Sequence, residues 1–206
     1  YFYLIMNHSI FYWGQPDITI RFCEKKYIQS GWIAEYTNTI SAIPYILFGS
    51  FFLVTKIKNI GISMIFLGLS TMIMHTTLRY YGQWLDECSM LIISYSAIQL
   101  IHTNLSDKGY YAIIIYYWFI KEYFILFFIA FACMQLYIVY ETYHKKLYKS
   151  QLVFIRLYIF CFTIGSICWL IDQFLCENIE NMPFHAAWHI LSAFGMFYGF
   201  VGFLIK

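Results

Sequence analysis

YYAIIIYYWFIKEYFILFFIAFACMQLYIVY, residues 110–140, is apolar or aromatic almost throughout and is broken near its middle by Lys121 and Glu122. As one helix it would cross a bilayer once; as two shorter helices meeting at the charged pair it would cross twice. Hydropathy alone leaves both open. Outward from it, residues 33–55, 60–78, 85–101, 151–171 and 184–205 form five further apolar runs, each long enough to cross with some tilt or local thinning. The chain thus holds six spans or seven. Its composition agrees with lipid as the solvent: 206 residues, 61% hydrophobic, 23% aromatic and 12% charged, where a soluble domain carries roughly 25% charged residues. Mean hydropathy is +0.63.

These figures imply an all-α integral membrane bundle. No Ser/Gly-rich linker and no fixed repeat divides the chain, so one transmembrane domain is expected over residues 1–206, with residues 1–31 as an N-terminal luminal segment and 32–206 as the bundle. Residues 1–13 lack a basic n-region and cleavage pattern and are expected to be an interfacial lead-in. A net charge of +2 without a basic stripe sets nucleic acid aside as a partner, and nothing calls for an obligate protein partner.

With seven spans, Lys56, Lys58, Lys108, Lys145, Lys146, Lys149 and Lys206 collect on one side. Asp17, Glu24, Asp86, Glu87, Glu177 and Glu180 collect on the other, together with Arg21, Lys25, Lys26 and Arg79. The positive-inside rule then puts the C-terminus in the cytosol and the N-terminus in the lumen or outside the cell.

Ionisable residues inside spans are costly, so they pair or do chemistry. His75 falls near the end of the second apolar run, Asp86 near the start of the third, and His185 and His189 near the start of the last. Seven spans bring all four to one membrane face, whereas six would separate His75 from His185 and His189. A shared site therefore favours two crossings within 110–140. His185 and His189, four apart, present two imidazoles on one helix face. A third His from another span completes the three-His set of a catalytic zinc whose fourth position stays open to water, with Asp86 as a base for that water. His8, His102 and His144 lack such company and read as interfacial or loop residues.

Several motifs together resemble the alkaline ceramidases, seven-span zinc amidases in a wider superfamily of membrane hydrolases and hydrolase-like receptors. They are LSTMIMH at 69–75, QWLDE at 83–87 and HAAWHIL at 185–191, with Phe22-Cys23-Glu24, AEYTNT at 34–39 and WLIDQFLC at 169–176. The order matches from about Arg21 to the C-terminus. The resemblance implies hydrolysis of the ceramide amide to a fatty acid and a sphingoid base, in the endoplasmic reticulum, Golgi or plasma membrane. It implies zinc on His75, His185 and His189, with Asp86 working on the water. Thr71 stands where the family has a Ser, keeping the hydroxyl that faces the oxyanion. It also implies a disulfide between Cys23 and Cys176, and it makes Trp169 and Asp172 structural, with Asp172 bonded inside the bundle.

The family's calcium site is where the sequence departs. Glu24 and Glu35 are kept and Phe22 can offer its carbonyl, but Arg21 and Lys26 replace an Asp and an Asn. Two cations would oppose Ca²⁺, so Arg21 or Lys26 is expected to pair with Glu24 and Glu35 instead of the ion. The rival readings are a heptahelical lipid receptor with structural zinc, and a hydrolase of another membrane lipid.

Overall fold

The computed structural model describes residues 11–145, 148–178 and 182–205. The first ten residues of the expected luminal segment, His8 among them, and Lys146, Glu180 and Lys206 of the charge pattern lie outside these. The described residues form helices α1 (Tyr36–Ile40), α2 (Ile43–Leu53), α3 (Lys58–Thr77), α4 (Tyr80–Ile101), α5 (Lys108–Ile120), α6 (Phe124–His144), α7 (Lys149–Phe174) and α8 (Phe184–Leu204), with a single 3₁₀ turn at Cys176–Asn178 and no strand. Residues 11–35, ahead of α1, carry no helix and fold over the end of the bundle where α3 stops and α4 and α8 start.

The stretch 110–140 is two helices. Its break falls at Lys121 and Glu122, and the chain reverses there: the start of α4 meets the end of α5 through Tyr80 Oη donating to the Lys121 carbonyl at 2.9 Å, while the end of α4 meets the end of α6 through Lys145 Nζ and the Ile101 carbonyl at 3.2 Å. The same kind of contact fixes the other neighbours. Ser70 on α3 bonds Ser89 on α4, Tyr45 on α2 bonds Ser192 on α8, and Gln135 on α6 accepts from Tyr158 on α7. The passes α2 to α8 therefore alternate in direction, and the ends bearing His75, Asp86 and His185 coincide.

The run 33–55, read as one span, is interrupted at Ser41 and Ala42, between α1 and α2. Pro44 explains the break, because its ring has no N–H to give and would press on the carbonyl four residues back. The run 85–101 starts earlier than its hydropathy suggests, at Tyr80, since the polar Gln83, Asp86 and Glu87 are all helical and buried. Among the described residues four helices, α3, α6, α7 and α8, are long and apolar enough to cross a membrane by themselves.

Three apolar clusters hold the bundle, the smallest of them joining Ile101, Ile138 and Tyr158 of α4, α6 and α7. Tyr45, Phe52, Met64, Leu67, Ile93 and Phe200 join α2, α3, α4 and α8, and Leu91, Tyr117, Phe127 and Trp188 join α4, α5, α6 and α8. Backbones come close where side chains are missing. A Cβ on Gly61 would lie 2.6 Å from the Gly49 carbonyl oxygen, so this glycine pair lets α2 and α3 touch. Large apolar side chains such as Phe119, Leu136 and Phe160 face outward, an arrangement costly in water and ordinary against lipid.

Candidate metal and hydrolytic centre

His75 sits in the last turn of α3, which ends when Leu78 takes a left-handed conformation (φ 51°) and returns its N–H to the Met74 carbonyl at 2.7 Å. His185 and His189 occupy the first two turns of α8. All three are buried, and one ligand atom from each lies within 4.8 Å of the others, so the trio could hold a metal ion. Ring centroids are 4.9 Å apart for His75 and His185, 5.0 Å for His75 and His189, and 4.5 Å for His185 and His189.

The outer nitrogens fix which face of each ring points inward. Nδ1 of His75 lies 2.6 Å from Glu35 Oε2. Nδ1 of His189 lies 3.2 Å from the Asn38 carbonyl and 2.8 Å from Ser41 Oγ. A carbonyl only accepts, so His189 carries its proton on Nδ1 and keeps the Nε2 lone pair for the cluster; a carboxylate acts on His75 in the same way. Nε2 of His75 then faces Nε2 of His185 at 3.2 Å. Two such lone pairs repel unless a proton or cation lies between them, and this donor set, three imidazoles with outer support for two, suits zinc. Nδ1 of His185 is buried and has no hydrogen-bond partner among the described residues.

The break before α2 serves this site. By ending α1 at Ile40 it turns the Ser41 hydroxyl and the Asn38 carbonyl toward His189. Neither Ser41 nor Asn38 could be picked out as a supporting group from spacing along the chain.

Asp86 and Thr71 face each other between α4 and α3. Thr71 Oγ1 lies 2.5 Å from Asp86 Oδ1 and 2.8 Å from the Leu67 carbonyl, one hydroxyl proton with two acceptors. The bond back to its own helix is common for Thr, and the Asp86 contact comes in addition to it. Gly82 permits this approach: a Cβ there would lie 2.8 Å from Met74 Cα. Gln83 and Glu87, four apart, form a separate network in which Gln83 Nε2 donates to Glu87 Oε1 at 2.6 Å and Tyr117 Oη donates to Glu87 Oε2 at 2.6 Å.

The cradle expected for calcium contains one ammonium. Lys26 Nζ donates to the carbonyls of Phe22 (2.7 Å) and Glu24 (2.8 Å) and to Glu35 Oε1. Glu35, fully buried, therefore joins Lys26 on one oxygen and His75 on the other, with Asn38 Nδ2 at 3.0 Å from Oε2. The Glu24 carboxylate does something else among the described residues. Its two oxygens accept the Thr37 and Asn38 backbone N–H groups at 2.7 and 2.8 Å and so cap the start of α1. Arg21 is exposed, away from the cradle, with its carbonyl taking Gln173 Nε2. The expectation of two opposing cations reduces to one, because residue 21 points outward while residue 26 turns back on residues 22 and 24.

The ring of Phe22 covers the histidines, 4.1 Å from His185 and 4.9 Å from His75 between centroids. Sequence reasoning found only its carbonyl. Cys23, next to it, is disulfide-bonded to Cys176, with Cα atoms 5.2 Å apart, which ties the N-terminal segment to the end of α7. Cys88, Cys133, Cys161 and Cys168 are free. Asp172, expected to bond inside the bundle, is buried, and its carboxylate oxygens have no hydrogen-bond partner of good geometry among the described residues.

Below the histidines lies a cavity of about 510 Å³, bordered by Asp86, Glu87, His185 and His189 at one end and by Met90, Phe127, Phe131 and Trp188 along its length. Helices α6 and α7 do not approach closely beside it. Side chains bridge the seam, with Phe128 stacked on Trp169 at 5.4 Å, and Leu136 and Ile167 border the cavity while also facing the outside.

Known proteins give the comparison. The family described as Ceramidase matches residues 14–205. Similar curated proteins include one named alkaline ceramidase from Arabidopsis thaliana, 29% identical, with 90% of this chain and 82% of that one covered. Alkaline ceramidase 3 of Mus musculus is 24% identical over the same shares, and alkaline ceramidase 1 of Homo sapiens is 23% identical over 94% of this chain and 83% of its own.

Proposed function

Because this chain belongs to the ceramidase family, we propose that it is a seven-span zinc amidase that cleaves ceramide into a free fatty acid and a sphingoid base. The three-histidine cluster with Asp86 at the mouth of an apolar cavity carries the reading. The relatives' names supply the substrate class, and the apolar outer faces of the helices support a membrane setting.

Zinc held by His75, His185 and His189 would supply a Lewis acid able to lower the pKa of water to about 7. The residues around it divide the remaining work. Asp86, at the end of the cavity, accepts the water's proton as the amide carbon is attacked, and returns it to the leaving nitrogen. Thr71 holds Asp86 in place through the 2.5 Å contact and can turn its single proton to the developing oxyanion. Glu35 and the Asn38 carbonyl keep the ring nitrogens of His75 and His189 in the required tautomer. Phe22 shields the cluster from bulk water on the side of the N-terminal segment.

The substrate enters sideways from the bilayer through the seam between α6 and α7. Residues 1–206 act as one domain with its N-terminal segment on the luminal or external face and its C-terminus in the cytosol. The Lys-bearing end, with Lys56, Lys58, Lys108, Lys145 and Lys149, is the cytosolic one. Calcium is replaced by the Lys26 ammonium, which already fills the donors of Phe22, Glu24 and Glu35.

The test is sphingoid-base release by the purified chain from a mixed ceramide panel, with zinc content measured alongside. His185→Ala is expected to lose zinc and release together. Asp86→Asn is expected to keep zinc and lose at least about 100-fold in kcat, the scale of a general base. Zinc without turnover of any ceramide would move the assignment to a lipid receptor or to another lipid substrate.

A further inference from the structure

Gln135, in the middle of α6, borders two cavities inside the bundle. The larger one starts at Asp86, His185 and His189. The smaller, about 40 Å³, continues beyond Gln135 among Ile101, Ile138, Ile155 and Phe203. Between them the Gln135 amide is held from both sides: its Nε2 donates to Ser94 Oγ on α4 at 2.7 Å, and its Oε1 accepts from Tyr158 Oη on α7 at 3.1 Å. Ser94 and Tyr158 are themselves buried. The three side chains thus form a polar bar across an otherwise apolar shaft.

We propose that Gln135 is the floor of the acyl pocket and sets the longest N-acyl chain that the site accepts. The proposal rests on the amidase reading and concerns specificity within it. Ser94 lies eight residues beyond Asp86 on α4, so the bar stands about 12 Å below the carboxylate at 1.5 Å per residue. A chain ending there meets an amide whose donor and acceptor are both satisfied. A longer chain that continues along the shaft has to break two part-buried hydrogen bonds and offers only a methyl group in return, which leaves polar atoms unpaired. The acyl tail is the occupant because it is apolar from the carbon next to the carbonyl, and the shaft is lined by Met90, Phe127 and Phe131 directly below the polar end. The sphingoid tail is joined through hydroxyl-bearing carbons, which suit the polar rim instead.

The experiment uses the full chain and two ceramide series, one with increasing acyl length on a fixed base and one with increasing base length on a fixed acyl chain. Gln135→Ala is expected to join the two cavities and raise the long-to-short kcat/KM ratio in the acyl series at least about 10-fold, the scale of fitting or excluding one methylene. Zinc content should stay at the wild-type level. Tyr158→Phe, which removes one of the two bonds and little volume, should shift the ratio in the same direction by less, and serves if the alanine variant does not fold. An unchanged ratio, a uniform loss over all lengths, or a shift seen only in the base series overturns the proposal. If the wild type cleaves no ceramide, the amidase reading fails by itself. Thermal stabilisation by free fatty acids of graded length then still reads the floor: the length at which stabilisation stops increasing must be greater in Gln135→Ala, and an identical limit refutes it.

Discussion

Lys26 sets its ammonium in the cradle that the family resemblance leads us to expect for a calcium ion. Its ammonium satisfies two carbonyls and one oxygen of the buried Glu35, whose other oxygen holds His75. Activity is therefore expected to be unchanged by a calcium-selective chelator, and titration calorimetry should find no calcium binding. Lys26→Asn should lower stability by about 3 kcal/mol by leaving Glu35 with an unpaired buried charge, and millimolar calcium should restore part of the lost Tm. Calcium binding to the wild type that is abolished by Glu35→Ala would contradict this. At this scale much could be read in advance. The three histidines, Asp86, Thr71 and the substituted calcium ligands all carry their chemistry in their residue type. Phe22's ring, Ser41 and the Asn38 carbonyl could not be read, because an aromatic, a serine or a backbone oxygen is common everywhere and gains a role only through what folds next to it.

Helices bring those residues together by close approach, and Gly82 is a case beside the site itself. A methyl group there would lie 2.8 Å from Met74 Cα, so Gly82→Ala should push the first turn of α4 from the last turn of α3 and cost about 1–3 kcal/mol, the usual scale of overpacking. It should also separate Asp86 from Thr71. Thermal unfolding and kcat together check this, since loss of turnover with an unchanged Tm would mean the contact has another purpose. Helix existence followed from apolar runs, and the charged pair at Lys121 and Glu122 did mark the reversal between α5 and α6. The break between α1 and α2 was hidden inside one apolar run because hydropathy ignores the missing N–H of Pro44. The start of α4 was set late for a related reason: its first turns carry polar side chains that are buried against other polar groups, which a hydropathy reading takes for a loop.

Across the whole molecule, the N-terminal segment is held to the bundle by the Cys23–Cys176 disulfide, spanning 153 positions of sequence. Cys23→Ser should destabilise by about 2–4 kcal/mol. Because the Phe22 and Glu24 carbonyls lie on the same segment, it should also release zinc at a lower temperature than the wild type. Equal zinc-release temperatures would show that Lys26 and Asp17 hold the segment without help. Asp17 contributes through its ion pair with Arg79 at 2.9 Å.

His75 and His185 are 110 positions apart, and the second of them opens the last helix. At about 5–20 residues per second of synthesis, His75 waits roughly 5–20 s for its partner. Glu35 and Lys26 are only nine positions apart and both precede His75, so the ion pair that steadies its ring can exist before the other imidazoles have been made. The nascent chain therefore carries one supported histidine and no complete trio through most of its synthesis, and a ribosome stalled before α8 leaves a product that cannot gather the metal.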